Sequence, residues 1–122
     1  MIEVHAGEVV EVHKGGDAEV WAGGIVEVYD GGDAWVRKDG VAVVREGGRA
    51  YVDTGGVVVV YGGGVAIVNA GGKATVFEGG HAEVLRDGKA EVCEGKAHVH
   101  WGGVATGKGK IIYLEDALTP SV

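Results

Sequence analysis

Apolar and polar positions alternate along this chain with a period of two, and the alternation restarts every eight residues. Valine stands at 4, 12, 20, 28, 36, 44, 52, 60, 68, 76, 84 and 92 without a break. Two residues earlier lies a small or branched apolar residue, as at Ala18, Val26, Ala34, Ala42, Ala50, Val58, Ala66, Ala74, Ala82 and Ala90. Glycine recurs at 16, 24, 32, 40, 48, 56, 64, 72, 80 and 88, mostly after another glycine, so the unit reads Gly-Gly-x-Ala-x-Val-x-x. In extended chain, residues two apart share a face, which sends Ala and Val to one side and the intervening positions to the other. A helix would scatter them, and each glycine would cost it about 1 kcal/mol relative to alanine. Each unit therefore predicts one short strand and one glycine turn.

One such strand buries almost nothing. Stacking successive units about 4.8 Å apart pairs their backbones and encloses the Val/Ala row, so the expected fold is an all-β, single-domain β-solenoid, or β-helix. The inner positions bear on coil size. Val10, Val26 and Val58, where valine replaces alanine, share a register modulo sixteen but not modulo twenty-four. Two strands per 16-residue coil would set these valine-bearing strands against the all-alanine strands Ala18, Ala34, Ala50, Ala66 and Ala82 across a thin core. The same scheme gathers Ile25, Val41 and Val57 on one sheet, with Tyr29, Arg45, Tyr61 and Phe77. Three strands per 24-residue coil is the alternative, and an intertwined trimer follows it.

The period slips once. A residue is missing between Val92 and Val99, where Glu94-Gly95-Lys96 carries a single glycine, and a tighter corner or bulge is expected there. After Gly102-Gly103 the repeat fades, which divides the chain into a solenoid at 1–105 and a C-terminal cap and tail at 106–122. The apolar run Lys110-Ile111-Ile112-Tyr113-Leu114 is expected to cover the open end, with a frayed tail from Glu115.

Composition narrows the picture. The 25 glycines against one proline exclude a proline-rich linker, and a core of Val and Ala must be thin. The net charge of −7 belongs to one end: Glu3, Glu8, Glu11, Asp17, Glu19, Glu27, Asp30 and Asp33 face Lys14 alone, while the remaining ten acids and ten bases cancel. Such an end repels nucleic acid and anionic membranes and suits a basic protein surface. Direct nucleic-acid binding and membrane association are therefore not expected. No basic n-region or long apolar stretch suggests a signal peptide or a membrane span, and the single Cys93 suits a reducing cytoplasm.

Over roughly residues 4–105 this pattern resembles the octapeptide-repeat β-solenoid proteins of bacteriophages and prophages, whose units read Gly-small-Ala-x-Val-x-x-x. It is also similar to a hexapeptide-repeat solenoid lengthened by two turn residues. The resemblance implies the fold and a mobile-element origin, and it implies no catalytic residue.

Three local motifs fall short of a site. Gly102-Gly103-Val104-Ala105-Thr106-Gly107-Lys108-Gly109 nearly matches a phosphate-binding loop, but Gly109 stands where a hydroxyl residue must hold Mg²⁺. Gly15-Gly16-Asp17 and Gly31-Gly32-Asp33 resemble calcium-binding nonapeptide rolls, yet the period is eight and Ile25, Val41, Arg49 and Lys73 occupy the place of the aspartate. His98 and His100 project from one outer face about 7 Å apart, with His81 or Glu83 as neighbours, but no third ligand is evident and no metal is assigned. No cofactor is expected. A narrow seam of small side chains offers no pocket for a catalytic constellation, so an enzyme is not expected either.

The outward positions of the middle units carry the remaining signal. Val41, Val43, Val57, Val59, Val65 and Ile67 point away from the core, with Trp35, Tyr51 and Tyr61 and with Arg37, Arg45 and Arg49 among them. Apolar, aromatic and arginine-rich surface is typical of protein interfaces. The expected protein-binding residues are Trp35, Arg37, Val41, Val43, Arg45, Tyr51, Val57, Val59, Tyr61, Val65 and Ile67. The expected partners are another protein, a second copy of the chain as a homodimer, or both. On this reading the protein is a non-catalytic binding solenoid, an inhibitor made by a phage or mobile element against a host defence complex such as a CRISPR effector. It would work in the host cytoplasm by occlusion or by mimicking nucleic-acid charge. The alternative is a self-assembling structural rod, as in a virion or tail. An ice-binding surface is disfavoured, because Thr54, Thr75, Thr106 and Thr119 form no ladder.

Overall fold

Residues 2–100 and 102–113 are described by a computed structural model. They form β1 (Ile2–Val4), β2 (Val9–Val12), β3 (Asp17–Val20), β4 (Ile25–Val28), β5 (Asp33–Val36), β6 (Val41–Val44), β7 (Arg49–Val52) and β8 (Val57–Val60). Beyond these come β9 (Val65–Val68), β10 (Lys73–Val76), β11 (His81–Val84), β12 (Lys89–Val92), β13 (Lys96–Val99), β14 (Val104–Gly107) and β15 (Lys110–Tyr113). Odd-numbered strands build one parallel sheet and even-numbered strands the other, each in chain order. The fold is a β-solenoid with two strands per coil, as the register of Val10, Val26 and Val58 predicts. Through most of the chain a residue pairs with its equivalent sixteen positions on, as in Ala34↔Ala50 and Val44↔Val60.

Every strand contributes its small and branched residues to one seam between the sheets. The inner Val and Ala of β3 to β13 are at most 5% exposed, and no polar or charged side chain among the described residues is buried with them. In such a seam the backbone must satisfy itself, and the ladders between coils do so. The first coil is less complete. Ile2 occupies an alanine register opposite Ala18 yet is 46% exposed, and Val10 is only half-buried, because no earlier coil among the described residues covers them.

The two glycines of the unit have separate causes. In His13-Lys14-Gly15-Gly16 the Gly16 N–H donates to the His13 carbonyl at 2.8 Å, and Gly15 takes φ +81°, the left-handed third position of a tight turn. Asp39 and Asp87 fill that position with φ 64°, which aspartate tolerates. The second glycine has an ordinary φ but lies against the preceding coil. The turns also hydrogen-bond along the stack, Gly31 N–H to the Gly47 carbonyl at 3.1 Å being one example.

The missing residue after Val92 is absorbed in the turn, not in a strand. Glu94 adopts φ 68°, and Lys96 pairs with His81 with the inner Ala97 still opposite Ala82. A second shortening follows: Lys110 pairs with Lys96, fourteen residues back. The stack thus continues past residue 105 to Tyr113, with β14 on β12 and β15 on β13. The segment expected to cap the end is its last described strand; Leu114 and the tail expected from Glu115 lie outside the described residues.

Candidate functional site: two outward faces

Because coils stack in register, each outward position repeats as a column of side chains along the solenoid. The expected docking residues separate by sheet. Trp35, Tyr51, Val65 and Ile67 belong to the odd sheet, with Arg37 in the turn after β5, and Val41, Val43, Val57 and Val59 to the even sheet, with Arg45 and Tyr61 in the turns after β6 and β8. The Val/Ala seam lies between them, so these residues form two surfaces facing opposite ways.

On the odd face, Trp35 and Tyr51 stack with ring centroids 5.3 Å apart, and Ile67 follows in the same column. Glu19 precedes Trp35 there, and Asp17 and Asp33 precede Arg49 and Val65 in the column beside it. An ionic link across three coils joins the Glu19 of β3 to the column just beyond the strands. Arg37 donates from Nε to Glu19 at 2.9 Å and from Nη1 to Asp53 at 2.6 Å, while Asn69 donates to the other Asp53 oxygen at 3.4 Å. The hydrogen bond to Glu19, with both carboxylates adding charge, holds the Arg37 guanidinium protonated still more firmly than usual. Arg37 is therefore less available to a partner than its sequence position suggests. Nothing in the eight-residue unit marked this link; the sixteen-residue spacing from Arg37 to Asp53 was the signal for it.

On the even face, one column reads Val9, Ile25, Val41, Val57, Lys73, Lys89 and the next Glu11, Glu27, Val43, Val59, Thr75, Glu91. A third column lies along the following turn. His13 stacks on Tyr29 at 4.7 Å, the Arg45 guanidinium sits 4.7 Å from the Tyr61 ring centre, and Tyr61 stacks on Phe77 at 5.1 Å. Stacked rings and the cation–π contact stiffen this edge by on the order of 1 kcal/mol each. Tyr29 also donates its hydroxyl to Glu27 at 2.7 Å, and that bond to a carboxylate pushes the phenol above its ordinary value. Tyr29 and Phe77 were grouped with Arg45 and Tyr61 by spacing but not counted among the docking residues; they extend the same edge in both directions.

The other candidates resolve as follows. The near phosphate loop contains strand β14 and is followed by strand β15 instead of a helix, so the backbone cradle that would hold phosphates is not formed. His98 packs edge-on against His81 with centroids 4.7 Å apart, and His100 lies 3.4 Å from Glu83. Among the described residues no three His, Cys, Asp or Glu side chains converge as metal ligands. Cys93 is a half-buried free thiol. Beside it is an open hollow of about 600 Å³, lined by Phe77, Glu78, Glu91, Glu94 and Lys108 among others, a surface feature that the repeat alone did not suggest. It forms where Gly107 takes the inner register opposite Val92 and the repeat shortens.

The histidine cluster carries a pH prediction. Burial first, then the neighbouring His98 and Lys96 charges, lower His81 from its ordinary 6.5, with Glu83 opposing. The unfolded chain therefore binds this proton more readily than the folded one. Stability is full above the unfolded value and declines as pH falls from about 6.5 toward the folded value. Thermal midpoints measured between pH 8 and 5 should drop in that window, and His81→Gln should remove part of the drop. An identical profile in the variant would assign the effect to other groups.

No protein-family model matches the sequence, and no curated protein does. Among solved structures, a crystal structure of a TibC-catalysed hyper-glycosylated TibA fragment is similar with a TM-score of 0.40 and 19% identity, over 94% of this chain and 71% of that one. No helix among the described residues is long and apolar enough to cross a membrane.

Proposed function

We propose that the protein is a non-catalytic binding module whose odd face docks on a basic, nucleic-acid-handling protein and occludes it. The observation that carries this reading is the continuity of that face. The carboxylates of Asp17, Glu19 and Asp33 run directly into Trp35, Tyr51 and Ile67 on a stiff parallel sheet. Acid steers the encounter with a basic channel, and the aromatic pair supplies the buried contact that slows release. A host defence complex such as a CRISPR effector, met in the cytoplasm by the product of a phage or mobile element, is the setting this reading assigns. A structural rod of the virion kind is the second reading, favoured by the uninterrupted stacking from Ile2 to Tyr113.

The test is competition. Guide-loaded effector complexes are titrated with the purified chain while their DNA binding is followed. Inhibition is expected at micromolar concentrations or below, weakening about tenfold when salt rises from 0.1 to 0.5 M. The double variant Trp35→Asp/Tyr51→Asp, changed only at outward positions, should raise the inhibitory concentration by about 100-fold. DNA binding that survives every concentration of the chain across a panel of effectors would end the inhibitor reading.

A further inference from the structure

The even face has a charge order of its own. Its acids Glu11 and Glu27 lie on β2 and β4, its apolar centre Val41, Val43, Val57 and Val59 on β6 and β8, and its lysines Lys73 and Lys89 on β10 and β12. Ile25 and Tyr61, each 38% exposed, widen the apolar centre. Parallel sheets with apolar outer surfaces are normally covered on both sides. The seam covers only one side of this sheet.

We infer that the even face is the interface of a homodimer in which two copies pack face to face with their solenoid axes antiparallel. The charge order selects both partner and orientation. A two-fold axis between β6 and β8, lying along the strands, sets the valine centre on its own copy, β4 over β10 of the second copy, and β2 over β12. Glu27 then lies across from the strand of Lys73, and Glu11 across from that of Lys89, each pair offset by two residues, about 7 Å, which a lysine side chain spans. Glu91 then stands across from Glu11 and offsets part of the Glu11–Lys89 attraction, leaving Glu27–Lys73 unopposed. Running the axes parallel would instead set the strands of Glu11 and Glu27 on their own copies and those of Lys73 and Lys89 likewise, like charge near like charge. Six strands at about 4.8 Å by some five residues at about 3.3 Å give on the order of 500 Å² per copy. The total of about 1,000 Å² reaches the lower limit for a specific interface.

This inference rests on the reading that the outward faces are where the protein works, but it uses the face opposite the one proposed to dock on an effector. The full chain is examined by sedimentation from 1 to 200 µM, with 12.5 kDa as the monomer mass. A species of twice that mass is expected. Val43→Asp/Val59→Asp, at outward positions that should leave the circular dichroism unchanged, is expected to weaken the dimer by about 100-fold or more. Lys73→Glu/Lys89→Glu should weaken it by about tenfold, and adding Glu11→Lys/Glu27→Lys should restore most of the loss, since the swap recreates antiparallel complementarity alone. Trp35→Asp/Tyr51→Asp should leave the dimer intact, so failure of the effector test and failure of this one are separable. A wild-type monomer at 200 µM overturns the proposal, as does a dimer indifferent to Val43→Asp/Val59→Asp. Absence of rescue by the charge swap overturns the antiparallel arrangement.

Discussion

Gly48→Ala is expected to destabilise the protein by about 3 kcal/mol, far more than a Gly-to-Ala change usually does. The reason is not dihedral, since Gly48 has no positive φ. A Cβ at this position would stand 2.6 Å from the Val28 carbonyl oxygen and 3.0 Å from the Val28 Cγ1 of the preceding coil. That oxygen already accepts the Arg45 N–H at 2.8 Å, and the Gly48 carbonyl accepts Val65 N–H at 3.1 Å, so the glycine is clamped between coils. Relief requires prising two coils apart at a corner of the stack, which breaks ladder bonds that only the neighbouring coil can supply. Gly16 is the internal control. It holds the same turn position, but in the first coil, where a Cβ would meet no preceding coil, only the His13 carbonyl and the Val12 Cγ1 of its own unit, each at 3.1 Å. Gly16→Ala should cost about 1 kcal/mol or less. Urea denaturation of both variants decides the matter, and equal losses would mean that the second glycine of the unit is a turn preference and not a stacking requirement.

That distinction shows where the sequence was legible. A period of eight with Ala and Val two apart gives strand, turn and seam from local geometry alone, because each unit repeats the same local problem. Coil size was legible from only a few residues. Val26 and Val58 reveal the sixteen-residue coil because a thin seam cannot place two large rows opposite each other, whereas the alanine strands are silent on the point. From the eight-residue unit the outward faces form one set of residues, since exposure and apolarity do not say which sheet a unit joins. Sixteen-residue spacing sorts Trp35, Tyr51 and Ile67 from Val43, Val59 and Tyr61. It also exposes the Arg37–Asp53 half of the ionic link, which no eight-residue consensus contains, whereas Glu19 reaches Arg37 diagonally, eighteen residues away. The end of the chain was least legible. Gly107 in the inner register and the fourteen-residue step from Lys96 to Lys110 have no precedent in the repeat, so stacking through β15 follows from backbone pairing and not from side-chain pattern.

Val60→Asp and Val12→Asp place the same carboxylate in the same seam, and their consequences should differ in extent as well as size. Val60 is fully buried in β8, between β6 and β10 of its own sheet, and no polar side chain among the described residues is buried in the seam to receive a charge. An unpaired carboxylate there costs on the order of 5 kcal/mol or more, and part of the loss appears as a pKa raised until the group is neutral. Val12 is 1% exposed but belongs to β2, the terminal strand of the described even sheet. A solenoid is held by nearest-neighbour interfaces, so a defect at its end can be shed by fraying one coil, whereas a defect at its centre interrupts the stack on both sides. Hydrogen exchange should therefore show protection lost only through β1 and β2 in Val12→Asp, with β6 to β12 unchanged. In Val60→Asp protection should fall from β6 through β10, and the melting transition should broaden or split as the flanking coils lose their common neighbour. Uniform loss of protection in both variants would mean that the chain folds as a single cooperative unit, and the one-dimensional account of its stability would have to be abandoned.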